Sequence, residues 1–301
     1  MNKKDLSIVI LNYNTKALTL DCLRSLDKVR NELNFEIIVC DNGSTDGSVN
    51  AIRLKYPKVK IIENRANIGF AKGNNAARNY VRGKYVLFLN SDTLVYKNTL
   101  RKCFEYMQGH KEVGALTCKV ILPSGELDKD CRRSFITPTI ALIHLYLKLD
   151  RLFPRSKLFG KYWYGYMPEE VTHEIDALQG AFFFTRKSIL DKVNWFDEDY
   201  FLDAEDIDLS WKIKNLGWKN VYYPEVCIMH LKGATKGKNR LLKNKIPFRD
   251  RLKYVLSGVN SMEIFYRKRL WNEYPPIVNY LVILGIYLLK FYRISKLYVF
   301  G

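Results

Sequence analysis

Apolar runs alternate with helically spaced stretches along the first third of the chain. Stretches 17–29 and 71–81 repeat apolar side chains at helical spacing. These stretches separate four short apolar runs typical of buried strands: residues 6–11, 35–40, 59–62 and 85–89. The alternation predicts an α/β fold with a mainly parallel central sheet and helices on both faces.

Polar clusters follow three of these runs: NYN at 12–14, DNGSTDGS at 41–48 and NSD at 90–92. Ligands of parallel sheets bind beyond the carboxyl ends of the strands, so the three clusters predict one crevice. An unpaired carboxylate inside a buried strand costs several kcal/mol, so we expect Asp92 at the mouth of its strand, paired or bound to a cation.

Further elements are predicted after residue 120. Residues 123–133 are charged and are predicted to form a loop, and residues 148–166 form a basic, aromatic insertion. LQGAFFFTRKSIL (178–190) predicts a strand leading into a helix, and DAEDIDLSWKIKNLGW (203–218) predicts a loop and a helix that ends at Gly217. An amphipathic helix at 250–271 and an apolar stretch at 275–289 follow.

Composition narrows the class of protein. The chain has 301 residues, with 48% hydrophobic and 14% aromatic content, which argues against a disordered protein. Its six cysteines are scattered without a CxxC pair, and residues 1–14 run into a strand pattern without a hydrophobic signal segment. Both features predict a cytoplasmic protein.

The charge is concentrated at the C-terminus. The chain carries a net charge of +18, and residues 232–301 contribute +12 of it, from 15 lysines and arginines against three acids. Such a tail suits nucleic acid or an anionic membrane surface. Nucleic acid is disfavoured because the cations lie outside the acidic crevice and no helix-turn-helix, zinc-finger or RNA-recognition signature is present.

The apolar stretch 275–289 is shorter than the roughly 20 apolar residues of an ordinary transmembrane helix. Basic residues precede and follow it, so we expect an interfacial anchor on the anionic cytoplasmic leaflet. A core helix with a solvated basic edge is the alternative.

Two glycine-containing stretches offer groups for a nucleotide. Asp41 and the turn after it supply backbone N–H groups and hydroxyls suited to a base, ribose or phosphate, although Ser44 or its neighbours also suit a helix cap. NIGFAKGNNAA (67–77) sets glycines around a helix start, and a plain helix entry is again the alternative. It matches neither GxGxxG nor GxxxxGK[ST], which argues against dinucleotide and P-loop sites.

Four residues carry candidate chemistry, each beside a structural alternative. Asp92 suits a hard cation or a turn. Glu205 and Asp206 suit a general base or the acidic first turn of a helix. His230 suits a metal ligand or a buried, hydrogen-bonded histidine.

The order of these segments decides between the alternatives. SIVILNYN, IIVCDNGSTDGS, NIGFAKGNN, LFLNSDT, LQGAFFFTRKSIL, FDEDYFLDAEDIDLSWKIKNLGW and then His230 together resemble the family 2 glycosyltransferases of the GT-A fold, most closely their rhamnosyltransferase-like branch. The resemblance covers roughly residues 5–235. It implies a GT-A domain at 1–235, with a nucleotide-sugar half at about 1–118 and an acceptor half at 119–235, followed by a basic helical region at 236–301.

The resemblance also implies roles for individual residues. Asp206 would be the catalytic base, with Glu205 beside it. Asp92 and His230 would bind Mg2+ or Mn2+, although Asn90 stands at the first position of the family's DxD motif. The nucleotide-sugar would contact eight residues: Asn12, Asn14, Asp41, Ser44, Asn67, Gly69, Asn74 and Ser91.

The implied activity is transfer of a sugar, with inversion, from a nucleotide-sugar donor to a hydroxyl of a saccharide or lipid-linked saccharide in cell-surface polysaccharide synthesis. The expected donor is dTDP-rhamnose, with a UDP-sugar as the alternative. A catalytically inactive nucleotide-sugar-binding module is the rival function, because Asn90 departs from the family pattern.

Overall fold

The computed structural model describes residues 4–232 and 248–300, which contain one nine-stranded sheet. The strands are β1 (Lys4–Asn12), β2 (Phe35–Asp41), β3 (Lys60–Glu63), β4 (Gly83–Asn90), β5 (Thr93–Val95), β6 (Val113–Ile121), β7 (His173–Ile175), β8 (Phe182–Arg186) and β9 (Lys219–His230). All four strands expected in the first third of the chain are confirmed.

The sheet follows the order β3-β2-β1-β4-β8-β6-β9-β5, with β7 beside β9. Strands β1 to β4 pair in parallel, as do β6 and β9, whereas β8 lies antiparallel between β4 and β6. Strands β5 and β7 also pair antiparallel with β9. The carboxyl ends of β1, β2, β4 and β9 therefore share one edge with the beginning of β8.

Ten α-helices accompany the sheet in the described part of the chain. They are α1 (Lys16–Lys28), α2 (Ser48–Lys55), α3 (Phe70–Asn75), α4 (Thr99–Gly109), α5 (Pro138–Ala141), α6 (Leu149–Leu152), α7 (Lys187–Lys192), α8 (Glu205–Asn215), α9 (Phe248–Phe265) and α10 (Pro276–Phe300). Shorter 3₁₀ turns lie at Arg78–Tyr80, Lys129–Cys131 and Trp271–Glu273, and π-helical turns at Leu142–Leu147 and Tyr266–Leu270.

Most predicted helices are confirmed, with one shortened. The helix expected over 71–81 ends at Asn75, and a 3₁₀ turn replaces its second half. The N-cap of α2 is Gly47, without a side-chain cap, and the two carboxylate oxygens of Asp46 accept from the backbone N–H groups of Ser48 and Lys16.

Two apolar cores hold the sheet and the helices together. The larger core packs the sheet against its flanking helices, and it buries strand residues such as Ile8, Val39 and Phe88 completely. The smaller core joins the C-terminal helices to α8, with Ile207 packed against Phe265 and its neighbours. The C-terminal region is therefore packed onto the sheet domain, and its predicted boundary at 235/236 lies outside the described residues.

Helix α10 is longer than the sequence pattern indicated. It continues through Lys290, Arg293 and Lys296 to Phe300, because these cations interrupt the apolar composition without breaking the helix. Residues 276–299 are long and apolar enough to cross a membrane, and 11% of the apolar window is buried. The expectation that this segment is too short to span a membrane is therefore wrong, and the low burial argues against a core helix.

Candidate active site

A cavity of about 590 Å³ lies at the carboxyl edge of the sheet. Asn42 and Asn90, at the ends of β2 and β4, line it, and Gly180 and Ala181 contribute because β8 begins there. Segment 201–207 and the helices α9 and α10 supply further parts of the wall. The cavity therefore lies where the polar strand ends predict a crevice.

Asp92 and His230 meet at one side of this cavity. β5 and β9 pair in the register Thr93 to His230, which brings the imidazole Nε2 within 3.2 Å of Asp92 Oδ1. The second ring nitrogen, Nδ1, lies 3.1 Å from Asp128 Oδ2. Lys232 donates to the other Asp128 oxygen at 2.7 Å. The buried Asp92, His230 and Asp128 and the partly exposed Lys232 form a charge-alternating row.

The pKa values in this row follow from its contacts. Burial alone would lower the pKa of His230, but the hydrogen bonds to Asp128 and Asp92 outweigh it and raise the pKa to about 9. Burial would raise the pKa of Asp128, and the bonds from His230 and Lys232 hold it well below its ordinary value. Asp128 is therefore an anion that orients the imidazole.

Asp92 and His230 offer a carboxylate oxygen and an imidazole nitrogen to a divalent cation, which would have to displace the proton that the raised pKa keeps on His230. No group of three or more His, Cys, Asp or Glu side chains with ligand geometry occurs in residues 4–232 and 248–300. A carboxylate behind the distal nitrogen of a histidine is the usual support of a metal-binding imidazole, and Asp128 has that position. Carboxylate oxygen suits Mg2+ and Mn2+, and phosphate and water oxygens commonly complete their coordination.

Asp206 lies in another wall of the cavity, in the first turn of α8. Its Oδ2 accepts from Arg133 Nη2 and from the Gly180 N–H, both at 2.9 Å, and its Oδ1 accepts from the Ile207 N–H at 2.8 Å. Burial disfavours the guanidinium charge of Arg133, but the nearby Asp206 carboxylate raises its pKa above the ordinary value. The carboxylate is thereby fixed in orientation.

A strained turn presents Glu205 and Asp206 to the cavity. Asp203 and Ala204 both have positive φ, 70° and 66°, which costs a non-glycine residue about 1 kcal/mol or more. Helix α9 holds this turn, since the hydroxyls of Ser257 and Ser261 donate to the Leu202 carbonyl. The C-terminal helices thus position the residues expected to be catalytic.

The predicted nucleotide-sugar contacts divide into two groups. Among them, the residues that line the cavity are Asn67, Gly69 and Ser91. Outside its lining are Asn12, Asn14, Asp41, Ser44 and Asn74.

The second group builds the support of the cavity. The side-chain N–H groups of the buried Asn12 donate to Asp41 Oδ1 at 2.6 Å and to Ser44 Oγ at 3.0 Å. Asn14 Oδ1 accepts from the Thr45 N–H, and Asn74 donates to the Phe70 carbonyl. The bonds of Asn12 and Asn14 connect the turn after β2 to the end of β1, and the bond of Asn74 lies within α3.

Several cavity residues lie outside the predicted set. Arg133 lines the cavity and Asp128 lies behind His230, and both belong to the stretch that the sequence indicates only as a charged loop. Arg293, which also lines the cavity, belongs to the basic tail. Their partners are 73 to 102 residues away for the first two. Local patterns contain no signal for such pairs.

Comparison with known proteins decides the family. The model of "Glycosyl transferase family 2" matches residues 7–193, which is more than half of the chain. The chain belongs to glycosyltransferase family 2. This family assignment agrees with the resemblance of the ordered segments, and the matched range holds Asp41, Asp92 and the turn after β2.

Relatives of the family 2 chain include a protein that is similar over most of its length. It is 25% identical over 245 residues to the N-acetylglucosaminyl-diphospho-decaprenol L-rhamnosyltransferase of Mycobacterium tuberculosis, covering 78% of each chain.

Solved structures show the fold. The mannosyltransferase PcManGT from Pyrobaculum calidifontis, in complex with GDP-Man and Mn2+, has a TM-score of 0.59 at 16% identity, covering all of this chain and 77% of that one. TarS of S. aureus has a TM-score of 0.53 at 17% identity, covering 84% of this chain and 40% of that one. The fold is GT-A, as expected from the sequence.

Proposed function

We propose that this family 2 glycosyltransferase uses a nucleotide-sugar donor and transfers the sugar, with inversion, to a hydroxyl of a saccharide or lipid-linked saccharide. One observation carries the proposal: the carboxylate of Asp206 and the Asp92–His230 pair line the same cavity from different walls. This arrangement provides separate positions for a base and for a cation beside a diphosphate.

The chemistry assigned to the chain is one displacement. Asp206 accepts the proton of the acceptor hydroxyl, whose oxygen attacks the anomeric carbon as the bond to the diphosphate breaks. Because one displacement on the opposite face replaces one bond, the configuration inverts. A divalent cation bound at Asp92 and His230 supplies positive charge against the leaving diphosphate.

Two buried polar atoms in the cavity wall support a polar substrate. Neither Arg133 Nε nor Gln179 Oε1 has a hydrogen-bond partner within the described chain, although both residues line the cavity. Buried polar atoms are normally satisfied, so a donor and an acceptor here suit the hydroxyls of a sugar.

The donor and acceptor are assigned from the relative. The mycobacterial protein is named as an L-rhamnosyltransferase acting on a diphospho-decaprenol-linked sugar, which supports dTDP-rhamnose as donor and a lipid-linked saccharide as acceptor. A UDP-sugar is the alternative donor. Such an acceptor belongs to cell-surface polysaccharide synthesis.

The surface of helix α10 supports association of the protein with a membrane. One of its faces carries exposed apolar side chains, among them Ile277, Leu281, Leu284, Leu288 and Phe291. Apolar surface next to basic residues favours an anionic leaflet. We place the protein in the cytoplasm, peripheral on the inner face of the membrane, where a lipid-linked acceptor is within reach.

A transfer assay tests this function. Purified protein is incubated with dTDP-rhamnose or UDP-sugars, with Mn2+, Mg2+ or chelator, and with either a polyprenyl-diphosphate-linked saccharide or free sugars. We expect metal-dependent product of inverted anomeric configuration, assigned by NMR, and a preference for the lipid-linked acceptor. Donor binding without transfer to any acceptor would favour the inactive module, and equal use of free sugars would contradict the lipid-linked acceptor.

A further inference from the structure

Residues 142–161 form a segment whose outer surface is apolar. Five of its large side chains are each more than half exposed: Leu142, Leu147, Leu152, Phe153 and Leu158. The segment is nevertheless folded, since Ile143 is buried and Nδ1 of His144 lies 2.7 Å from Oδ2 of the buried Asp150. This exposure is therefore a property of an ordered surface.

The same surface is strongly basic. Five cations are exposed on it: Lys148, Arg151, Arg155, Lys157 and Lys161. Asp150 is the only acid in the sequence between residues 138 and 167, and it is occupied with His144. No acid within the segment is therefore available to neutralise the cations at the surface, which favours an anionic partner.

The segment adjoins helix α10. Gly285 of α10 packs against the ring of Tyr146, where an added Cβ would lie only 2.8 Å from the Tyr146 hydroxyl. Leu281, Leu284 and Leu288 on the same stretch of α10 are exposed. The apolar surfaces of the segment and of α10 are thus continuous across this contact.

The segment also belongs to the cavity. His144 and Leu145 of the segment line it, as do the nearby Trp163 and Arg293 of α10. A surface that binds lipid at this place would bring the cavity close to the bilayer.

We propose that residues 142–161 are a second membrane-binding surface, which binds the headgroups of an anionic phospholipid leaflet through its cations while Leu152 and Phe153 enter the apolar boundary. The inference builds on the proposed membrane contact of α10 and does not depend on which sugar is transferred. An exposed apolar group beside several cations is the combination that gives such binding.

Vesicle flotation of the full chain tests the proposal. The vesicles contain phosphatidylcholine alone or with phosphatidylglycerol. The variants are Arg151→Gln with Arg155→Gln, and separately Leu152→Ser with Phe153→Ser, and Leu54→Ser is the control because Leu54 is 84% exposed on α2, in a different part of the fold. We expect wild type and control to bind the anionic vesicles, and each double variant to bind about tenfold more weakly or worse.

Unchanged vesicle binding in both double variants would overturn the proposal, as would equal binding of wild type to the two kinds of vesicle. Thermal melting of each variant verifies that it is folded. Transfer to a soluble acceptor is measured in parallel, because the double variants should retain it. Absence of transfer by wild type, with vesicle binding as expected, would contradict the proposed function and leave the membrane surface standing.

Discussion

Asp206 is held by three hydrogen bonds, from Arg133, Gly180 and Ile207, and this orientation is what the proposed proton transfer requires. Two of the donors, the Gly180 and Ile207 N–H groups, are backbone groups whose positions the start of β8 and the first turn of α8 determine. A neutral amide of the same size cannot take up the proton, although its NH2 group would face one of these three donors.

Asp206→Asn is therefore expected to lower kcat by about a thousandfold while donor affinity stays unchanged. Steady-state transfer rates and a donor titration measure the two quantities. Asp21→Asn, on the exposed face of α1, is the matched control and should keep full activity. Normal turnover of Asp206→Asn would remove Asp206 from the mechanism.

Asp128 orients His230 from the side opposite to Asp92. Asp128→Asn keeps the size of the side chain but removes the charge that supports the imidazole. We expect Mn2+ to bind about ten- to a hundredfold more weakly, measured by calorimetric titration of the purified protein. Glu126→Gln, in the exposed part of the same loop, should bind Mn2+ as wild type does. Equal affinities for both variants would contradict the metal-supporting role.

At the scale of elements, α8 is held between the sheet and the C-terminal helices. Arg269 donates from Nε to Oδ1 of the fully buried Asp208 at 2.7 Å, and Lys268 binds Asp197 and Asp199. These ion pairs and the smaller apolar core attach the basic tail to the element that carries Asp206.

Arg269→Met removes the cation closest to the buried Asp208. The next cation, Lys212, is too far away to replace its hydrogen bond, since its Nζ lies 3.8 Å from Asp208 Oδ2. Removing one partner of a buried ion pair costs about 3 kcal/mol, so we expect the free energy of unfolding to fall by roughly that amount in urea denaturation. Arg267→Met, two residues earlier and half exposed, should change it by less than about 0.5 kcal/mol. Similar losses in both variants would mean that the Arg269–Asp208 pair does not hold the tail.

The elements that the sequence predicted best are those with a strong local period. Strands β1, β2 and β4 are continuous apolar runs, and α8 has both an acidic first turn and a terminal Gly217 with φ of 83°. The antiparallel placement of β8 between β4 and β6 depends on pairing across about 70 to 100 residues, which no local pattern encodes. The full length of α10 was missed because three cations interrupt its composition.

At the scale of the whole molecule, the cavity is composite. Asp92 and His230 could be predicted because each follows an apolar strand, and the strands carry them to one edge. Asp128, which lies behind His230, and the cavity residues Arg133 and Arg293 could not, because their positions depend on a loop and a tail that fold back over that edge. The sequence indicates which reactive side chains lie at the strand ends, whereas the side chains that contact them are brought there by tertiary packing.

The most direct test of the account is a thermal-shift measurement on wild type and Asp92→Asn, with dTDP, UDP, GDP and their sugars, each in Mn2+, Mg2+ or chelator. A ligand that binds only the folded state raises its apparent stability. We expect one class of nucleotide to raise the Tm of wild type only with metal, and to raise it far less in Asp92→Asn. No shift with any nucleotide, or an equal shift in chelator and in the variant, would contradict a metal-dependent nucleotide-sugar site at Asp92 and His230.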